Sequence, residues 1–410
     1  MRILSPFLMP TYPAPPVTFV RGEGTVLWDD QGRRYLDFLS GLGVTSLGHS
    51  HPAVAEALAA QARTLLHVSN LYGTTIAPEV AATLDHLICA HYPDGAPTPS
   101  SSPRRGPQPR PAPSAPHGRV FFCNSGAEAN ECAFKLARKW GGPGRHVVVS
   151  AYGSFHGRTL AALHATGQPE KHEAFQPLPE GFRHVAWCDT SALEAALTPE
   201  VAAVLLEPIL GEGGVRPGTT EFLLAARRLC DERGILLVLD EVQTGLARTG
   251  RWFGFQHFGI EPDVVTMAKS LGNGVPIGAC WARAEVADAF VPGDHATTFG
   301  GQPLAASAAR AVLRVMQEED APARAAAAGA RLGKALAALP GVAEVRGLGL
   351  LLAVELMPDQ GSRDAAARAL EAGLVVNPVT STALRLAPPL LVSDEEIDEA
   401  VDILSRVLEP

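Results

Sequence analysis

Long apolar runs, an excess of positive charge and paired cysteines are all missing from this 410-residue sequence. Apolar stretches such as "ILLVL" and "LLLAV" are far shorter than the roughly 20 residues that a membrane-spanning helix needs. The formal net charge of -9 argues against nucleic acid or anionic membrane as the main partner. We therefore expect no membrane partner and no nucleic-acid partner.

The six cysteines form no CxxC pair, which in a chain of this length predicts reduced and mostly buried thiols. His49 and His51, in "GHSHP", could suggest a metal pair. Two histidines without further ligands are weak evidence, so we expect no metal. The N-terminus has a short apolar piece broken by proline and no credible signal peptide, which favours a cytoplasmic location.

Short Val- and Leu-rich runs do occur through the middle of the chain, and they predict buried parallel strands because they are unalternating and bounded by glycine or polar residues. These runs are "RVFFCN" at 119–124, "RHVVVS" at 145–150, "VAAVLLEP" at 201–208, "ILLVLDE" at 235–241 and "PDVVTMA" at 262–268. Amphipathic stretches such as "AEANECAFKLARKW" lie between them and predict helices. The alternation predicts an α/β domain with a mostly parallel sheet.

The pattern changes after about residue 300. A helical stretch at 304–339 leads into shorter strand and helix patterns, and Ser393 with Glu396 predicts a capping box that opens a final helix. This part is interpreted as a smaller C-terminal α/β domain, 301–410. The N-terminal segment, 1–55, is expected to contain a hairpin and to join the small domain, which leaves 56–300 as the large domain.

One stretch of the large domain has almost no apolar residues. Residues 94–118 are rich in proline, serine and arginine. Such a segment cannot offset its ordering entropy by burial, so we predict a mobile surface insertion.

Candidate functional residues follow the predicted strands, where open parallel sheets bind their ligands. After the first strand, Ser125, Gly126 and Ala127 form a turn into a helix, whose free N–H groups favour an anion. On its own this turn is equally well explained as an ordinary helix cap. No GxxxxGK[ST] motif is present, so the turn is not a P-loop.

The later strand ends carry an aromatic ring, a carboxylate and an amine. Phe155 could stack on a flat cofactor, and Arg158 could bind a carboxylate in bidentate fashion. Asp240 follows a buried strand, where a carboxylate is costly unless it meets a cation or hydrogen-bond donors. Lys269, in "VVTMAKSLGNGVPIGA", is the single lysine of its stretch. Individually, each residue also fits a structural role.

Together these residues match what pyridoxal 5'-phosphate (PLP) requires. The cofactor needs a phosphate cradle, a ring support, an acid partner for its pyridine nitrogen and an amine that bonds to its aldehyde. The set is far more specific than any member. A Schiff-base aldolase would also need a lone lysine, but it would not need Asp240 and the anion-binding turn together.

The chain resembles the class III PLP-dependent aminotransferases over nearly its whole length apart from 94–118. Six ordered blocks carry the resemblance: "NSGAEANE", "FHGRT", "LEPILGEGGV", "LDEVQTGLARTG", "MAKSLGNGVPIGA" and "TTFGGQPLA". It implies PLP fold type I, which is aspartate-aminotransferase-like, with a large and a small α/β domain. It also implies a homodimer whose two active sites are shared between the subunits.

The resemblance also implies roles for individual residues. Lys269 would bind PLP covalently, Asp240 would pair with its pyridine nitrogen, and Phe155 would stack on its ring. Other implied cofactor contacts are Ser125, Gly126, Ala127, Val242, Gln243 and, reaching the neighbouring subunit's phosphate, Thr298. Ala127 stands where many members have threonine, so one side-chain contact is absent.

Substrate contacts follow from the same resemblance. Arg158 would bind the remote substrate carboxylate, Glu212 would lie opposite Arg385, Thr297 would lie at the substrate, and Tyr12 has the spacing of a tyrosine that reads a free α-amine. The implied substrates are an amino donor and 2-oxoglutarate. N-acetylornithine is the favoured donor; ornithine, succinyl-diaminopimelate, 4-aminobutyrate and a lysine-pathway analogue are the alternatives. A racemase, a decarboxylase or a non-catalytic member stays open.

Overall fold

The computed structural model describes residues 6–90 and 116–409. Its N-terminal part is a three-stranded antiparallel unit followed by helices. The strands are β1 (Phe19–Glu23), β2 (Val26–Asp29) and β3 (Arg34–Asp37), and the helices are α1 (Ser40–Gly43), α2 (Pro52–Thr64) and α3 (Ile76–Cys89). The Gly32 amide donates to the Asp29 carbonyl (3.0 Å), which confirms the predicted hairpin turn.

A seven-stranded sheet forms the centre of the molecule. Its strands are β4 (Gly118–Cys123), β5 (Val147–Ala151), β6 (Phe182–Val185), β7 (Val201–Leu206), β10 (Leu236–Asp240), β11 (Val264–Met267) and β12 (Gly278–Arg283), with the short pair β8 (Ile209–Leu210) and β9 (Arg216–Pro217) outside it. The spatial order is β4-β12-β11-β10-β7-β5-β6. All neighbours are parallel except that β12 runs antiparallel to both β11 and β4.

The sheet is buried on both faces, as the unalternating apolar runs predict. Along β5, Val148 and Val149 face opposite clusters of the core, and Val238 and Leu239 do the same along β10. Because successive strand residues point to opposite faces, a strand that is covered on both sides needs apolar residues at every position. All five predicted strands form; β5, β7, β10 and β11 are buried along their whole length, whereas β4 at the edge of the sheet is only partly buried.

Helices cover the two faces. They are α4 (Gly126–Gly141), α5 (Leu160–Ala165), α6 (Thr190–Ala196), α7 (Thr220–Arg233) and α8 (Ala284–Ala287), with 3-10 turns at Pro169–Lys171, Glu173–Phe175, Gly254–His257 and Lys269–Leu271. Ser125 caps α4 by accepting a hydrogen bond from the Glu128 amide (3.2 Å). The direct connection from β4 into a capped helix places the N-terminus of α4 at the carboxyl end of the sheet.

The C-terminal part is a second α/β unit. It contains α9 (Pro303–Glu318), α10 (Ala321–Ala337), β13 (Val342–Leu348), β14 (Leu351–Leu356), α11 (Ser362–Glu371), β15 (Leu374–Val375), β16 (Asn377–Pro378), β17 (Ala383–Leu386) and α12 (Asp394–Leu408). Strand β15 pairs in parallel with β3, so the N-terminal hairpin and the C-terminal unit share a sheet. The boundaries 1–55, 56–300 and 301–410 stay a prediction.

Three local features differ from the sequence-based expectations or fall outside the description. The helical stretch 304–339 is two helices, because Asp320 adopts a left-handed φ of 46° between them. Strands β6 and β12 are additional to the five predicted strands. Most of the predicted insertion, 94–118, lies outside the described residues.

Within residues 6–90 and 116–409, no helix has the length and apolar character needed to span a bilayer. In the same residues no histidine, cysteine and carboxylate side chains gather in a group that could bind a metal ion. His49 instead contacts the Asp37 carboxylate at 2.7 Å. The six cysteines are free thiols, and four of them are buried.

Helix α12 begins with the predicted capping box. The Ser393 hydroxyl accepts a hydrogen bond from the Glu396 amide (3.2 Å), and the Glu396 carboxylate accepts one from the Ser393 amide (2.9 Å). Ser393→Ala should lower the free energy of unfolding by about 1 kcal/mol, since the helix loses one capping acceptor. Chemical denaturation measures this change. Ser381→Ala, at an exposed position, is the control, and equal stability of the two variants would contradict the capping role.

Candidate active site

A cavity of about 420 Å³ opens at the carboxyl ends of the central strands. Ten of the sequence-predicted site residues line it, from segments that are far apart in the chain. They are Ser125, Gly126, Ala127, Phe155, Arg158, Glu212, Asp240, Val242, Gln243 and Lys269. The parallel topology explains the gathering, because β4, β5, β7, β10 and β11 all end at this edge.

The N-terminus of α4 forms one wall. As the first helical residues, Gly126 and Ala127 have N–H groups without intrahelical acceptors. Gly126 is required by close packing, because a Cβ there would lie 2.8 Å from the Val242 methyl groups. Gly157 has the same role on the other side, where a Cβ would lie 2.7 Å from that of Ala127. The wall therefore exposes backbone N–H groups and can hold an anion.

Asp240 is buried at the floor of the cavity, with 3% of its surface exposed. One carboxylate oxygen contacts Asn130 Nδ2 and His156 Nδ1, both at 2.8 Å, and the other accepts from the Val242 amide at 3.0 Å. Asn130 is itself oriented by the Thr266 hydroxyl, which donates to its side-chain oxygen (2.8 Å). These donors stabilise a carboxylate that burial alone would disfavour.

Lys269 follows β11 in a left-handed conformation, with φ of 41°. This conformation is uncommon outside glycine and persists only where the surroundings hold it. Loss of hydration, and secondly the nearby Arg385 guanidinium, lowers the pKa of Lys269 to about 8. A lysine amine with this pKa is partly uncharged near neutral pH and can act as a nucleophile or a base.

Phe155 and Arg158 lie at the second strand end. The Arg158 guanidinium carbon is 5.6 Å from the centroid of the Phe155 ring, and the Arg158 side chain is exposed. The Phe155 amide donates to Glu207 (2.9 Å), which fixes the backbone beneath the ring. The ring can support a planar group inside the cavity, and the guanidinium can bind an anion towards solvent.

The opposite wall contains an ion pair. Glu212 Oε1 lies 2.7 Å from Arg385 Nη1, and the same nitrogen donates to the side-chain oxygen of Gln243 (3.1 Å). Arg385 is 1% exposed and lies behind Glu212 and Gln243, which line the cavity. Burial opposes ionisation of Glu212, yet Arg385 holds the pKa of Glu212 below its usual value. The cavity thus presents an acid in front of a buried cation.

Asn130, His156 and Glu207 line the cavity without having been predicted as site residues. Burial raises the pKa of Glu207 to about 7. The signal for Glu207 is present in the sequence, because it directly follows a buried strand in "LLEP", as Asp240 follows "LVL". Asn130 lies one helical turn beyond Gly126, so it faces the same side of α4.

Three predicted residues lie away from the cavity. Thr297 and Thr298 line a neighbouring pocket of about 310 Å³ that shares Asn124 with the cavity. Thr298 is exposed, and Asn124 Nδ2 lies 3.4 Å from the Thr297 hydroxyl. Tyr12 is 78% exposed and is not brought to the cavity in the single chain.

A family model for class-III aminotransferases matches residues 9–408 of this chain. The chain belongs to the class-III aminotransferase family. It is 47% identical to the acetylornithine aminotransferase of Gloeobacter violaceus over 409 residues, with 98% of this chain and 95% of that protein covered. The acetylornithine aminotransferase of Thermosynechococcus vestitus is 45% identical over 418 residues, with coverage of 98% and 95%.

Solved structures of this family show the same fold. An ornithine aminotransferase from Toxoplasma gondii matches with a TM-score of 0.87 at 34% identity, covering 98% of this chain and 92% of that one. An N-acetylornithine aminotransferase from Stenotrophomonas maltophilia matches with a TM-score of 0.79 at 34% identity, covering 97% and 96%. The family and the fold expected from the sequence are confirmed, and the enzyme is a PLP-dependent aminotransferase.

The cavity of this class-III aminotransferase fits PLP. The wall at Gly126 is cleared of side chains and offers N–H groups to a phosphate, and a buried, hydrogen-bonded carboxylate lies at the floor. The Lys269 amine, with its pKa lowered to about 8, faces the same space. Phe155, which also lines the cavity, can support the ring, so all four requirements of PLP are met by residues of one cavity.

Gly126→Ala should weaken PLP binding at least about tenfold, because the added methyl group must displace the Val242 side chain from the phosphate wall. Val242→Ala removes the methyl groups that would collide, so the double variant should recover most of the affinity. Fluorescence titration of the apoenzyme with PLP measures both. Unchanged affinity in Gly126→Ala, or no recovery in the double variant, would contradict this close-packing argument.

Proposed function

We propose that this enzyme transfers the δ-amino group of N-acetylornithine to 2-oxoglutarate, giving N-acetylglutamate 5-semialdehyde and glutamate, as a cytoplasmic step of arginine biosynthesis. The observation that carries the proposal is the Glu212–Arg385 pair at 2.7 Å. Of the two residues, Glu212 lines the cavity and Arg385 does not. The identity of 45–47% to acetylornithine aminotransferases over 98% of the chain supports the same donor.

The residues around the cavity have separate tasks in this proposal. When bound, PLP would supply an aldehyde carbon that takes up the amino group from one substrate and passes it to the other, and a ring that withdraws electrons from that centre. Ser125, Gly126 and Ala127 bind the phosphate, Phe155 supports the ring, and Asp240 keeps a proton on the pyridine nitrogen. The hydrogen bonds from Asn130 and His156 keep Asp240 oriented for this contact.

Lys269 holds PLP covalently and moves protons at Nζ. With a pKa of about 8, roughly a tenth of the free amine is uncharged at pH 7, against fewer than about one in a thousand for an ordinary lysine. The neutral fraction falls as the pH falls below 8, so Lys269 becomes a poorer base under acidic conditions.

The Glu212–Arg385 pair selects the substrate of each half-reaction. A δ-amino donor presents uncharged methylene groups near Lys269, which suits an arginine that is neutralised by Glu212. 2-Oxoglutarate presents a carboxylate at the same place and needs the guanidinium free. Arg158, exposed at the mouth above Phe155, binds the remote carboxylate in both cases.

A homodimer with shared sites completes this account. Leu71, Tyr72 and Phe299 are 86%, 74% and 65% exposed, an unusual density of large apolar groups beside the cavity. Asn70 links the two segments through hydrogen bonds to the Thr297 and Gly300 carbonyls. A second copy that covers this surface would bring Thr298 to the phosphate of the neighbouring site.

Substrate choice is the direct test of the proposal. Values of kcat/KM for N-acetylornithine, ornithine, 4-aminobutyrate and succinyl-diaminopimelate, each with 2-oxoglutarate, should be highest for N-acetylornithine. Ornithine is the second candidate, since its enzymes share this fold. A higher value for any other donor would replace the proposed substrate while leaving the reaction type intact.

Lys269→Ala should bind PLP weakly and lose the visible absorbance of the covalently held cofactor together with transamination, because no amine is left to bond to the aldehyde. Lys334→Ala is a suitable control, since it removes an exposed lysine of α10 that does not line the cavity. Absorbance spectra and steady-state rates give the answer. Near-normal turnover in Lys269→Ala would refute the role of this lysine.

Glu212→Ala should raise the use of glutamate relative to N-acetylornithine, because it frees Arg385 for an α-carboxylate. A charge-assisted contact is worth roughly 1.5–3 kcal/mol, which corresponds to a change in preference of about ten- to a hundredfold. Single-turnover bleaching of the bound cofactor by each donor measures the ratio.

Two matched variants make this measurement specific. Arg158→Ala should weaken N-acetylornithine and 2-oxoglutarate alike, because both present a remote carboxylate. Glu344→Ala removes an exposed glutamate that is paired with another arginine and should change neither. If Glu212→Ala leaves the glutamate-to-acetylornithine ratio where it was, the Glu212–Arg385 pair does not select the substrate.

A further inference from the structure

Arg248 is a buried cation that lies outside the cavity. Its side chain is fully buried, with 0% exposed, and among residues 6–90 and 116–409 the carboxylate that acts on it is Asp37, which does not form a direct ion pair with it. Burial lowers the pKa of Arg248 to about 9 and the Asp37 carboxylate offsets only part of this effect, so the retention of the charge also needs an explanation in terms of hydrogen bonds.

The hydrogen bonds of Arg248 join three parts of the chain. Nη1 donates to the carbonyls of Leu350 (3.1 Å) and Pro388, and Nη2 donates to the Ser46 hydroxyl (2.9 Å). The Leu350 amide also donates to the Arg248 carbonyl (2.9 Å). One guanidinium therefore ties the loop after β10 to the C-terminal unit and to the segment after α1.

The hydrogen bonds continue from Ser46 towards Lys269. The Ser46 and Ser270 hydroxyl oxygens are 2.7 Å apart, and the Ser270 hydroxyl lies 3.2 Å from the Gly43 carbonyl. Because Ser46 accepts from Arg248, its own hydrogen can go to Ser270 or to the Gly43 carbonyl, which lies 3.4 Å away. The Ser270 hydroxyl is closer to that carbonyl (3.2 Å), so we assign the Ser46 hydrogen to Ser270 and the Ser270 hydrogen to Gly43. This assignment satisfies each hydroxyl and gives one directed chain that starts at a cation, an arrangement in which each bond strengthens the next.

This chain passes through the turn that carries Lys269. Ser270 is 3% exposed and immediately follows Lys269, whose backbone is left-handed. The surroundings must hold that conformation, and the Ser270 hydroxyl is the side-chain group nearest in sequence that can do so. Asn273 holds the far side of the turn by accepting from the Leu47 amide (2.8 Å) and donating to the Gly48 carbonyl (3.0 Å).

We infer that Arg248 is a positioning residue that acts through Ser46 and Ser270 to hold Lys269 against the cofactor and to tie the Lys269 turn to the C-terminal unit. The inference rests on the proposed role of Lys269 and adds a group that does not line the cavity. The Leu390 amide donates to the Ser46 carbonyl at 2.7 Å, so the C-terminal unit reaches Ser46 by a second route that does not use Arg248.

A purely structural Arg248 is the competing explanation, and the serines distinguish the two. Arg248→Ala would leave a large cavity and risks unfolding. Ser270→Ala and Ser46→Ala remove one oxygen each and leave the Leu350 and Pro388 contacts of Arg248 in place. Under the structural explanation they lower stability only; under the positioning explanation they also change the environment of the Lys269 nitrogen.

The test is a pH titration of the visible absorbance of each holoenzyme, which reports the pKa of the nitrogen that joins Lys269 to PLP. Ser270→Ala, Ser46→Ala and Arg248→Lys should shift this pKa in one direction by about half a unit or more, a threefold change in the equilibrium. The Ser46→Ala/Ser270→Ala double variant should shift no further than the larger single variant, because both serines belong to one chain. Ser307→Ala, a buried serine that donates only to the Leu304 carbonyl, should not shift it.

Two results would overturn the inference. One is a Ser270→Ala shift below about 0.2 units in a variant that still binds PLP. The other is full additivity of the two serine variants, which would mean that they act independently. If Lys269→Ala itself kept the titrating absorbance, the proposed role of Lys269 would have failed instead, so the two failures are distinguishable.

Discussion

The burial of Asp240 is the constraint on which the active site depends. A carboxylate at 3% exposure is stable only if donors surround it, and here they come from α4, from the loop after β5 and from its own turn. Asn130 and His156 can meet there because β5 and β10 run parallel in one sheet with β7 between them, and because β4 of the same sheet leads directly into the capped helix α4. The position of one charge thus depends on the arrangement of the whole central sheet.

The remaining charges of the cavity balance one another. Asp240, Glu207 and Glu212 are set against Lys269 and Arg385. Burial is the largest influence on the pKa of Glu207, Glu212 and Lys269, and the neighbouring charges add to it or oppose it. Lys269 loses hydration and lies near Arg385, so its amine is more easily deprotonated. Burial, opposed by the nearby His156, raises the pKa of Glu207 to about 7. An aminotransferase needs groups that exchange protons in this range.

The central fold and most of the cavity could be predicted from sequence because both depend on local signals. Buried parallel strands need apolar residues throughout, and polar residues directly after them, such as Asp240 and Lys269, must meet at one edge. Asn130 could not be found in this way, since its role depends on a contact 110 positions away in the chain. Strand β12 was also not predicted. Its antiparallel direction depends on its neighbours in the sheet and not on its own amino-acid composition.

The sequence could not locate the contacts of Tyr12 and Thr298, for a different reason. Both residues are exposed in the single chain, and the contact predicted for Thr298 is one to the phosphate of a second subunit. The pattern of a single sequence gives no information about distances between two chains.

The antiparallel direction of β12 determines how the cavity is closed. A parallel strand after β11 would have required the chain to cross to the other end of the sheet, whereas β12 turns back at the carboxyl edge. The short return, Gly274 to Ile277, therefore lies across the cavity as one of its walls. Lys269 and this wall belong to a single hairpin connection, so its length cannot change without moving both, and homologues that vary cavity width should do so in other loops.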